Sequence, residues 1–399
     1  MEDRQRTLAD AAHRLVVLLS GTTADVVVIG AGITGASSAW HLASRGLSVV
    51  VLEKDPAPAM GSTGKSVAGV RVQFTTEANI RLSMYSLPVY REFEERHGHD
   101  VGYRDIGYLL LVPHAKWERH LESVELQRSL GAPVEVLDPV EAQRYLSFET
   151  EDLAGATYGP WDGVIDPHMA THAWVSMARE LGVDFRFDSP VSEIERSGRG
   201  WAVRSGSDSY HCGHIVNAAG AWSGLIGELA NLDVPVGPKR IQIFLSAPID
   251  DPRTYPLTID LTTGVYLRSE GNRVLFGRDD LDQDFGFTEG MDWNWLEHVL
   301  LTGVERYPWW EDLGVDRKGS WWGYYAVSPD NSPIICPNPG AEGWIDACGF
   351  SGHGIMHAPV AGLAVSEFIV DGESHTLDMA PFRHGRFGEE GVTVETNIF

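Results

Sequence analysis

Apolar and polar positions near the start of the chain predict a strand, a helix and a second strand. Residues 25–29 (DVVVI) form a β-branched apolar run, which is typical of a buried strand. Helical spacing follows it, in Ile33, Ala36, Trp40 and Ala43. A second apolar run at residues 48–52 predicts the next strand. This order of elements indicates an α/β unit with parallel strands.

The turn between the first strand and the helix carries the residues that a bound dinucleotide requires. Gly30 permits a tight turn, Gly32 lets the backbone approach a pyrophosphate, and Gly35 lets the helix pack closely on the strand. Glu53 follows the second strand, where a carboxylate accepts hydrogen bonds from the adenosine ribose. A carboxylate at this point repels a 2′-phosphate, so the unit predicts FAD or NAD rather than NADP.

A second glycine turn lies far down the chain. Residues 214–217 predict a buried strand that ends in the small-residue turn 218–222. Residues 344–348 predict another strand, which leads into the glycine loop 349–354 and then a helix. Glycine turns about 320 residues apart cannot both belong to one mononucleotide-binding unit, but one long cofactor can span them. FAD therefore fits better than NAD.

Composition and charge exclude some classes of protein function. The chain has 399 residues, 43% of them hydrophobic, which suits two or three domains. Its net charge of −25 has the wrong sign for a nucleic-acid-binding protein. The three cysteines show no disulfide or metal spacing, so we expect reduced thiols, no metal site and a cytoplasmic location. No apolar run is long enough to predict a membrane-spanning helix.

Several motifs together resemble the D-amino-acid oxidase superfamily of FAD-dependent oxidoreductases. The similarity is greatest to the branch of sarcosine oxidase, dimethylglycine dehydrogenase and the proline dehydrogenase β-subunit. It extends roughly from Ala24 to Gly372. The motifs, in the order of the family, are residues 28–35 (VIGAGITG), Glu53, 61–66 (GSTGKS), 217–222 (NAAGAW), 328–335 (SPDNSPII) and 349–354 (GFSGHG).

The resemblance implies an α/β fold with a discontinuous, Rossmann-type FAD-binding domain. It also implies an α+β substrate domain with a mostly antiparallel sheet. We assign residues 24–90, 155–228 and 325–385 to the FAD-binding domain, and 91–154 and 229–324 to the substrate domain. Residues 1–23 are predicted to form an N-terminal extension, and residues 386–399 a C-terminal tail.

The resemblance also implies which residues hold FAD. His353 is ambiguous, since it either contacts the flavin or packs with a local hydrogen bond. The cofactor-binding candidates are Gly30, Gly32, Ile33, Thr34, Gly35, Glu53, Lys54, Ser62, Thr63, Lys65, Ser66, Val191, Ala219, Gly220, Trp222, Gly352, His353, Gly354 and Ile355.

Four residues are candidates for the substrate side of the site. Arg71 matches a carboxylate-binding arginine of the sarcosine oxidases, or else forms an interdomain salt bridge. Tyr325 matches a tyrosine that lines their pocket, which favours a secondary or N-methyl amine. Asp279 either pairs with a substrate ammonium or faces solvent, and Met356 stands where those enzymes use a lysine to bind the carboxylate.

The chain also departs from these relatives. Gly323 occupies the position of the cysteine that bonds covalently to flavin in sarcosine oxidases, and residues 61–66 contain no histidine for attachment. We therefore expect noncovalent FAD. Leu275 replaces an oxygen-activating lysine, which argues against a fast oxidase. The aromatic run 321–325 (WWGYY) forms either a cation-binding cage or ordinary core.

The leading hypothesis is an oxidoreductase that oxidises the C–N bond of a small secondary or N-methylated amino acid by hydride transfer to FAD. One alternative is oxidation of a 2-hydroxy acid. Another is a flavin-containing assembly protein without turnover, in which Met356 and Leu275 mark a decayed site. The expected partner is a small-molecule amine or amino acid, and the sequence leaves open partner subunits or a homo-oligomer.

Overall fold

The structure, a computed structural model, describes residues 21–250, 253–389 and 393–396. Its strands are β1 (Thr22–Ile29), β2 (Val49–Leu52), β3 (Gly69–Val70), β4 (Tyr108–Pro113), β5 (Glu135–Leu137), β6 (Leu153–Gly159), β7 (Gly163–Val164), β8 (Asp184–Arg186), β9 (Val191–Ser197), β10 (Gly200–Ser205), β11 (Asp208–Asn217), β12 (Gly237–Leu245), β13 (Leu257–Asp260), β14 (Val265–Glu270), β15 (Arg273–Arg278), β16 (Trp321–Val327), β17 (Ile334–Pro337) and β18 (Trp344–Cys348).

Helices connect and cover these strands. They are α1 (Ile33–Ser44), α2 (Glu77–Arg91), α3 (Phe93–His97), α4 (Trp117–Ser129), α5 (Pro139–Ala142), α6 (Pro167–Glu180), α7 (Ser223–Leu229), α8 (Trp293–Arg306) and α9 (Gly354–Val370). The predicted strand–helix–strand unit at the start of the chain corresponds to β1, α1 and β2.

The first sheet has the order β17-β18-β11-β1-β2-β8; in addition, β10 pairs with β11, and β9 pairs with β10. Its centre is parallel, because β1 pairs in parallel with both β2 and β11, and β11 pairs in parallel with β18. Residues 26–29 of β1 and the whole of β2 are buried, which explains their continuous apolar sequences.

The second sheet has the order β16-β12-β15-β14-β13-β4-β6-β5. It is antiparallel except for the parallel pair β13 and β4. The predicted fold class is confirmed: one sheet has a parallel, Rossmann-type centre, and the other is mostly antiparallel.

Two of the predicted domain boundaries fall inside strands of the second sheet. The boundary at residues 154/155 divides β6, which pairs along its length with β4. The boundary at 324/325 divides β16, which pairs with β12 over residues 321–327. Apolar runs mark a strand, but they do not show which sheet it joins.

Parts of the two predicted terminal segments lie within the described residues. Residues 1–20 of the predicted extension lie outside the described part of the chain, whereas Thr22 and Thr23 already pair with β11. In the predicted tail, Arg386 forms an ion pair with Asp330, with Nε 2.7 Å from Oδ2. Glu395 is also buried. The described part of the tail is therefore packed against the rest of the chain.

Helix α9 contains a proline whose effect is compensated by another helix. Pro359 lacks an N–H group, so the carbonyl of Ile355 loses its ordinary partner within the helix. The hydroxyl of Tyr90, on α2, donates to this carbonyl at 2.7 Å. This hydrogen bond joins α2 to the helix that follows the second glycine turn.

Within the described residues, no helix is long and apolar enough to cross a membrane.

We expect Tyr90→Phe to lower the free energy of unfolding by about 1–2 kcal/mol, because the buried Ile355 carbonyl loses its donor. Denaturant unfolding measures this change. Tyr85→Phe is the matched control, since Tyr85 lies on the same helix and is half-buried. Equal stability of the two variants would contradict a role for this hydrogen bond.

Candidate functional site

The chain segments of the site meet at the carboxyl ends of four neighbouring parallel strands. Ile29 at the end of β1 pairs with Leu52 of β2 and with Asn217 of β11. Asn217 in turn pairs with Asp346 of β18. The turns that follow these strands therefore gather at one edge of the sheet, which is where open α/β sheets bind ligands.

The first glycine turn is packed too tightly for other residues. Gly30 has a φ of +105°, and a Cβ atom there would lie 2.6 Å from the carbonyl oxygen of Ala218. A Cβ atom on Gly35 would lie 2.0 Å from the carbonyl oxygen of Gly30. Gly32 is the N-cap of α1 and provides no side-chain hydrogen bond to the helix. The backbone N–H groups at the start of α1 therefore form a site suited to an anion.

Glu53 ties the end of β2 to this turn. Its Oε2 accepts a hydrogen bond from the backbone N–H of Ala31 at 2.7 Å, and its Oε1 accepts one from the N–H of Asp55 at 2.9 Å. Burial raises the pKa of Glu53, while the two backbone donors act in the opposite direction. Its carboxyl group is therefore fixed on the wall of the site.

A large cavity of about 560 Å³ runs between the two glycine turns. The predicted cofactor residues on its wall are Gly30, Gly32, Ile33, Thr34, Glu53, Lys54, Ser62, Thr63, Lys65, Ser66, Val191, Ala219, Gly220, Trp222, Gly352, Gly354 and Ile355. Two predicted residues are not on it. Gly35 lies beneath the turn, and His353 lines a neighbouring cavity.

Part of this wall was not predicted from the sequence. Ile241 and Ile243, on β12, face the cavity, as does Tyr266 on β14. Ser189 and Pro190, before β9, also line it. The alternation of side chains along β12 and β14 predicts two faces, but not which of them looks toward the first sheet.

A small cavity of about 40 Å³ adjoins the large one. The two share wall residues, including Tyr266, Tyr325 and Gly352. Ser66 and Val67 are shared as well, and the small cavity is otherwise lined by Gly69, Arg71, Tyr108, Leu257, Ile259, His353 and Met356. Of these, Tyr108, Tyr266, Leu257 and Ile259 were not predicted, because they reach the site from separate strands of the second sheet.

Arg71 is the cation of the small cavity. It is 3% exposed, and its Nη1 donates to the carbonyl oxygen of Gln73 at 2.5 Å. Its Nη2 lies 3.3 Å from Nε2 of His353. Because a guanidinium only donates, Nε2 of His353 accepts and the ring proton is on Nδ1. The guanidinium also lies 4.0 Å from the ring centre of Phe74.

Burial lowers the pKa of Arg71 from its ordinary value. The nearby Tyr108, Glu395 and Asp162 act in the opposite direction. An arginine stays protonated at neutral pH, so the small cavity keeps a positive charge.

A buried polar network positions the segment that carries Arg71. Asp162 accepts hydrogen bonds from the N–H of Val72 at 2.9 Å and from Nε2 of Gln73 at 3.0 Å. Burial raises the pKa of Asp162 to about 7. Oε1 of Gln73 accepts a hydrogen bond from the hydroxyl of Thr157 at 2.8 Å. The backbone on both sides of Arg71 is therefore restrained.

Three phenol groups complete the polar part of the small cavity. Burial raises the pKa values of Tyr108, Tyr266 and Tyr325 above that of a free tyrosine. These hydroxyls are consequently neutral at physiological pH and act as hydrogen-bond donors and acceptors.

Of the two remaining substrate-side candidates, Met356 lines the small cavity and Asp279 does not. Asp279 lines neither cavity, and its Oδ2 lies 3.2 Å from Nζ of Lys239. Asp279 follows β15 directly and is partly buried beside this lysine, and its pairing with a substrate ammonium stays a prediction. Met356 does line the small cavity, where its thioether adds apolar surface in place of a cation.

The aromatic residues of β16 lie on two faces of the strand. Gly323 lines the large cavity, and a Cβ atom there would lie 2.9 Å from Cβ of Lys65. Tyr324 packs on Trp222, with ring centres 5.8 Å apart. Of residues 321–325, Tyr325 alone lines the small cavity, so this run does not form a cation-binding cage there. No group of three potential metal ligands occurs within residues 21–250, 253–389 and 393–396.

Comparison with known proteins gives matches over most of the chain. A family model described as FAD dependent oxidoreductase (DAO) matches residues 25–368. The chain is 30% identical to FAD-dependent oxidoreductase domain-containing protein 1 from Xenopus laevis, over 94% of this chain and 85% of that protein. It is 29% identical to mitochondrial dimethylglycine dehydrogenase from Homo sapiens, over 91% of this chain but 45% of that protein. The solved structure of L-proline dehydrogenase from P. horikoshii has a TM-score of 0.86 and 28% identity, covering 92% of this chain and 98% of that one.

The fold and the cavity between two glycine turns are those of a dinucleotide-dependent enzyme. With the family match, they show that the chain belongs to the FAD-dependent oxidoreductases of the D-amino-acid oxidase superfamily. The resemblance predicted from its motifs is confirmed.

We expect Glu53→Gln to weaken FAD binding about tenfold or more, because a glutamine offers one acceptor oxygen to two backbone N–H groups. Titration of the flavin-free protein with FAD, followed by flavin fluorescence, measures the affinity. Glu193→Gln, an exposed change on β9 of the same sheet, is the control. An unchanged affinity in a fully folded Glu53→Gln variant would contradict the role given to this carboxylate.

Proposed function

We propose that this FAD-dependent oxidoreductase oxidises the C–N bond of a small secondary or N-methylated amino acid, with FAD held noncovalently in the large cavity. When bound, FAD supplies the acceptor for a hydride equivalent. The residues of the chain bind the substrate, orient its amine carbon toward the large cavity and keep its nitrogen unprotonated.

The observation that carries this proposal is the position of Arg71. Its buried guanidinium lines the small cavity, which adjoins the large one between Tyr325 and Gly352. A buried cation of this kind recognises a carboxylate strongly, because water does not compete with the ion pair. The substrate carboxylate therefore binds at the Arg71 end, and the amine lies toward the large cavity.

The rest of the wall favours a neutral amine with an apolar substituent. None of the residues that line the small cavity is acidic, so no carboxylate there stabilises an ammonium group. Leu257, Ile259 and Met356 supply apolar contact for an N-methyl group or a small ring. The phenol groups of Tyr266 and Tyr325 supply neutral hydrogen-bonding atoms beside the amine.

Similarity to proteins named for such substrates supports the same class. The chain is similar to a dimethylglycine dehydrogenase and to an L-proline dehydrogenase, and both names describe a secondary or tertiary amino acid as substrate. The carboxylate and the substituted amine are common to those substrates, and Arg71 and the apolar wall match these two features.

Anaerobic mixing of the FAD-loaded protein with a panel of compounds tests the proposal. Sarcosine, dimethylglycine and proline are compared with primary amino acids and with 2-hydroxy acids, and bleaching of the visible flavin band is followed. We expect bleaching by at least one substituted amino acid. Bleaching by 2-hydroxy acids alone would instead support C–OH oxidation, and no bleaching by any compound would support an assembly protein without turnover.

We expect Arg71→Gln to reduce kcat/KM for the best amino-acid substrate about 100-fold or more, through loss of the buried ion pair with its carboxylate. The corresponding amine without a carboxylate, such as pyrrolidine for proline, loses much less. Stopped-flow flavin reduction measures both compounds. Arg104→Gln is the control, because Arg104 lines neither cavity. Equal losses for both compounds would contradict carboxylate binding by Arg71.

We expect trichloroacetic acid to release all of the FAD into the supernatant. Gly323 has no side chain to form a covalent bond, and Lys65 lies against it. Absorbance of the supernatant and of the redissolved pellet measures the partition. Flavin that stays in the pellet would contradict noncovalent binding.

A further inference from the structure

The segment between β15 and α8 is an acidic loop, defined here as residues 279–292 (DDLDQDFGFTEGMD). It contains six acidic residues and no lysine or arginine. Asp282, Asp284 and Glu289 are exposed, and no ion pair joins any of these three to another described residue. The loop therefore presents uncompensated negative charge to solvent.

The same loop exposes large apolar side chains. Leu281 is 82% exposed, Phe285 64% and Phe287 39%. Such residues lower the solubility of a surface unless they are covered part of the time, and aromatic residues are enriched in the centres of protein interfaces. Three of them within seven residues indicate a contact surface rather than an isolated exposed side chain.

The loop is held in a defined conformation. Arg240, on β12, donates to Oε1 of Gln283 at 2.8 Å and to the carbonyl oxygen of Gly290 at 3.1 Å. The N–H of Gly286 donates to the carbonyl oxygen of Pro238 at 2.9 Å. A surface held in this way loses little conformational entropy when a partner binds.

The loop also lies beside the large cavity. The ring of Phe287 stacks on Trp222 at 5.3 Å and meets Tyr324 edge-on at 5.3 Å, and both of these residues line that cavity. A partner bound to the loop would therefore lie next to the cofactor-binding end of the molecule.

We propose that the acidic loop docks a basic protein whose contact surface combines positive charge with apolar side chains. The charge of the loop selects such a partner, since complementary potentials steer association and like charges oppose it. A second copy of this chain is disfavoured by its net charge of −25. Docking at this surface does not depend on which substrate the protein oxidises.

Binding of a basic probe protein to the FAD-loaded chain tests the proposal. The probe is cytochrome c, and acidic α-lactalbumin is the negative comparison. Isothermal titration calorimetry measures the dissociation constant at low and at physiological ionic strength. We expect cytochrome c to bind, with an affinity that falls at least about tenfold between the two salt concentrations, and α-lactalbumin not to bind.

Two variants locate the binding surface. Asp282→Asn/Asp284→Asn/Glu289→Gln removes charge, and Leu281→Ser/Phe285→Ser removes apolar surface without changing charge. We expect the first to weaken binding about tenfold and the second at least about threefold. The control, Glu118→Gln/Glu122→Gln/Glu125→Gln, removes the same charge from the exposed face of α4. FAD content and thermal unfolding confirm that each variant is folded.

The outcomes separate a docking loop from general attraction to an acidic protein. Loss of binding in the two loop variants, with binding retained in the α4 control, supports the proposal. Equal weakening in the charge variant and the α4 control overturns it, as does the absence of cytochrome c binding at low ionic strength.

Discussion

The backbone contact between the first glycine turn and the end of β11 is the constraint on which the rest of the site depends. The Ala218 carbonyl approaches Gly30 so closely that a side chain would not fit there, and Glu53 holds Ala31 from the other side. These contacts require β1, β2 and β11 to end at the same level of the sheet, which their parallel register provides. One cofactor can then be enclosed by segments far apart in the sequence.

The buried guanidinium of Arg71 makes one end of the site, the small cavity, positively charged. A guanidinium removed from water needs compensating partners, and the carbonyl of Gln73, the ring of Phe74 and nearby acidic and phenolic groups provide them. The polar network around Asp162 restrains the same segment from behind. The second sheet closes the opposite side with phenol groups and apolar side chains. The cavity is thus cationic at one end and apolar along its wall, a combination that suits an amino acid with a substituted amine.

Much of the first sheet was predictable because its signals are local. The apolar runs of β1 and β2, the glycine spacing and Glu53 all act within one stretch of about 30 residues. The position of Tyr325 in the site came from family resemblance alone. Tyr108, Tyr266 and Ile241 were not predicted, because their roles depend on which face of the second sheet meets the first. The contact between Asp279 and Lys239 was not predicted either, because Lys239 lies on another strand and sequence spacing does not show that contact. Pairing with distant strands decides which sheet β6 and β16 join, so the sequence did not show that two domain boundaries divide these strands.

The proposed function depends on a carboxylate binding at Arg71, next to bound FAD. The most direct measurement is a titration of the FAD-loaded protein with pyrrole-2-carboxylate, a planar analogue that does not undergo amine oxidation, followed by the visible flavin spectrum. We expect a saturable perturbation of the flavin band by the carboxylate and little or none by pyrrole-2-carboxamide. Equal perturbation by the two compounds, or a flavin spectrum that neither compound changes, would contradict it.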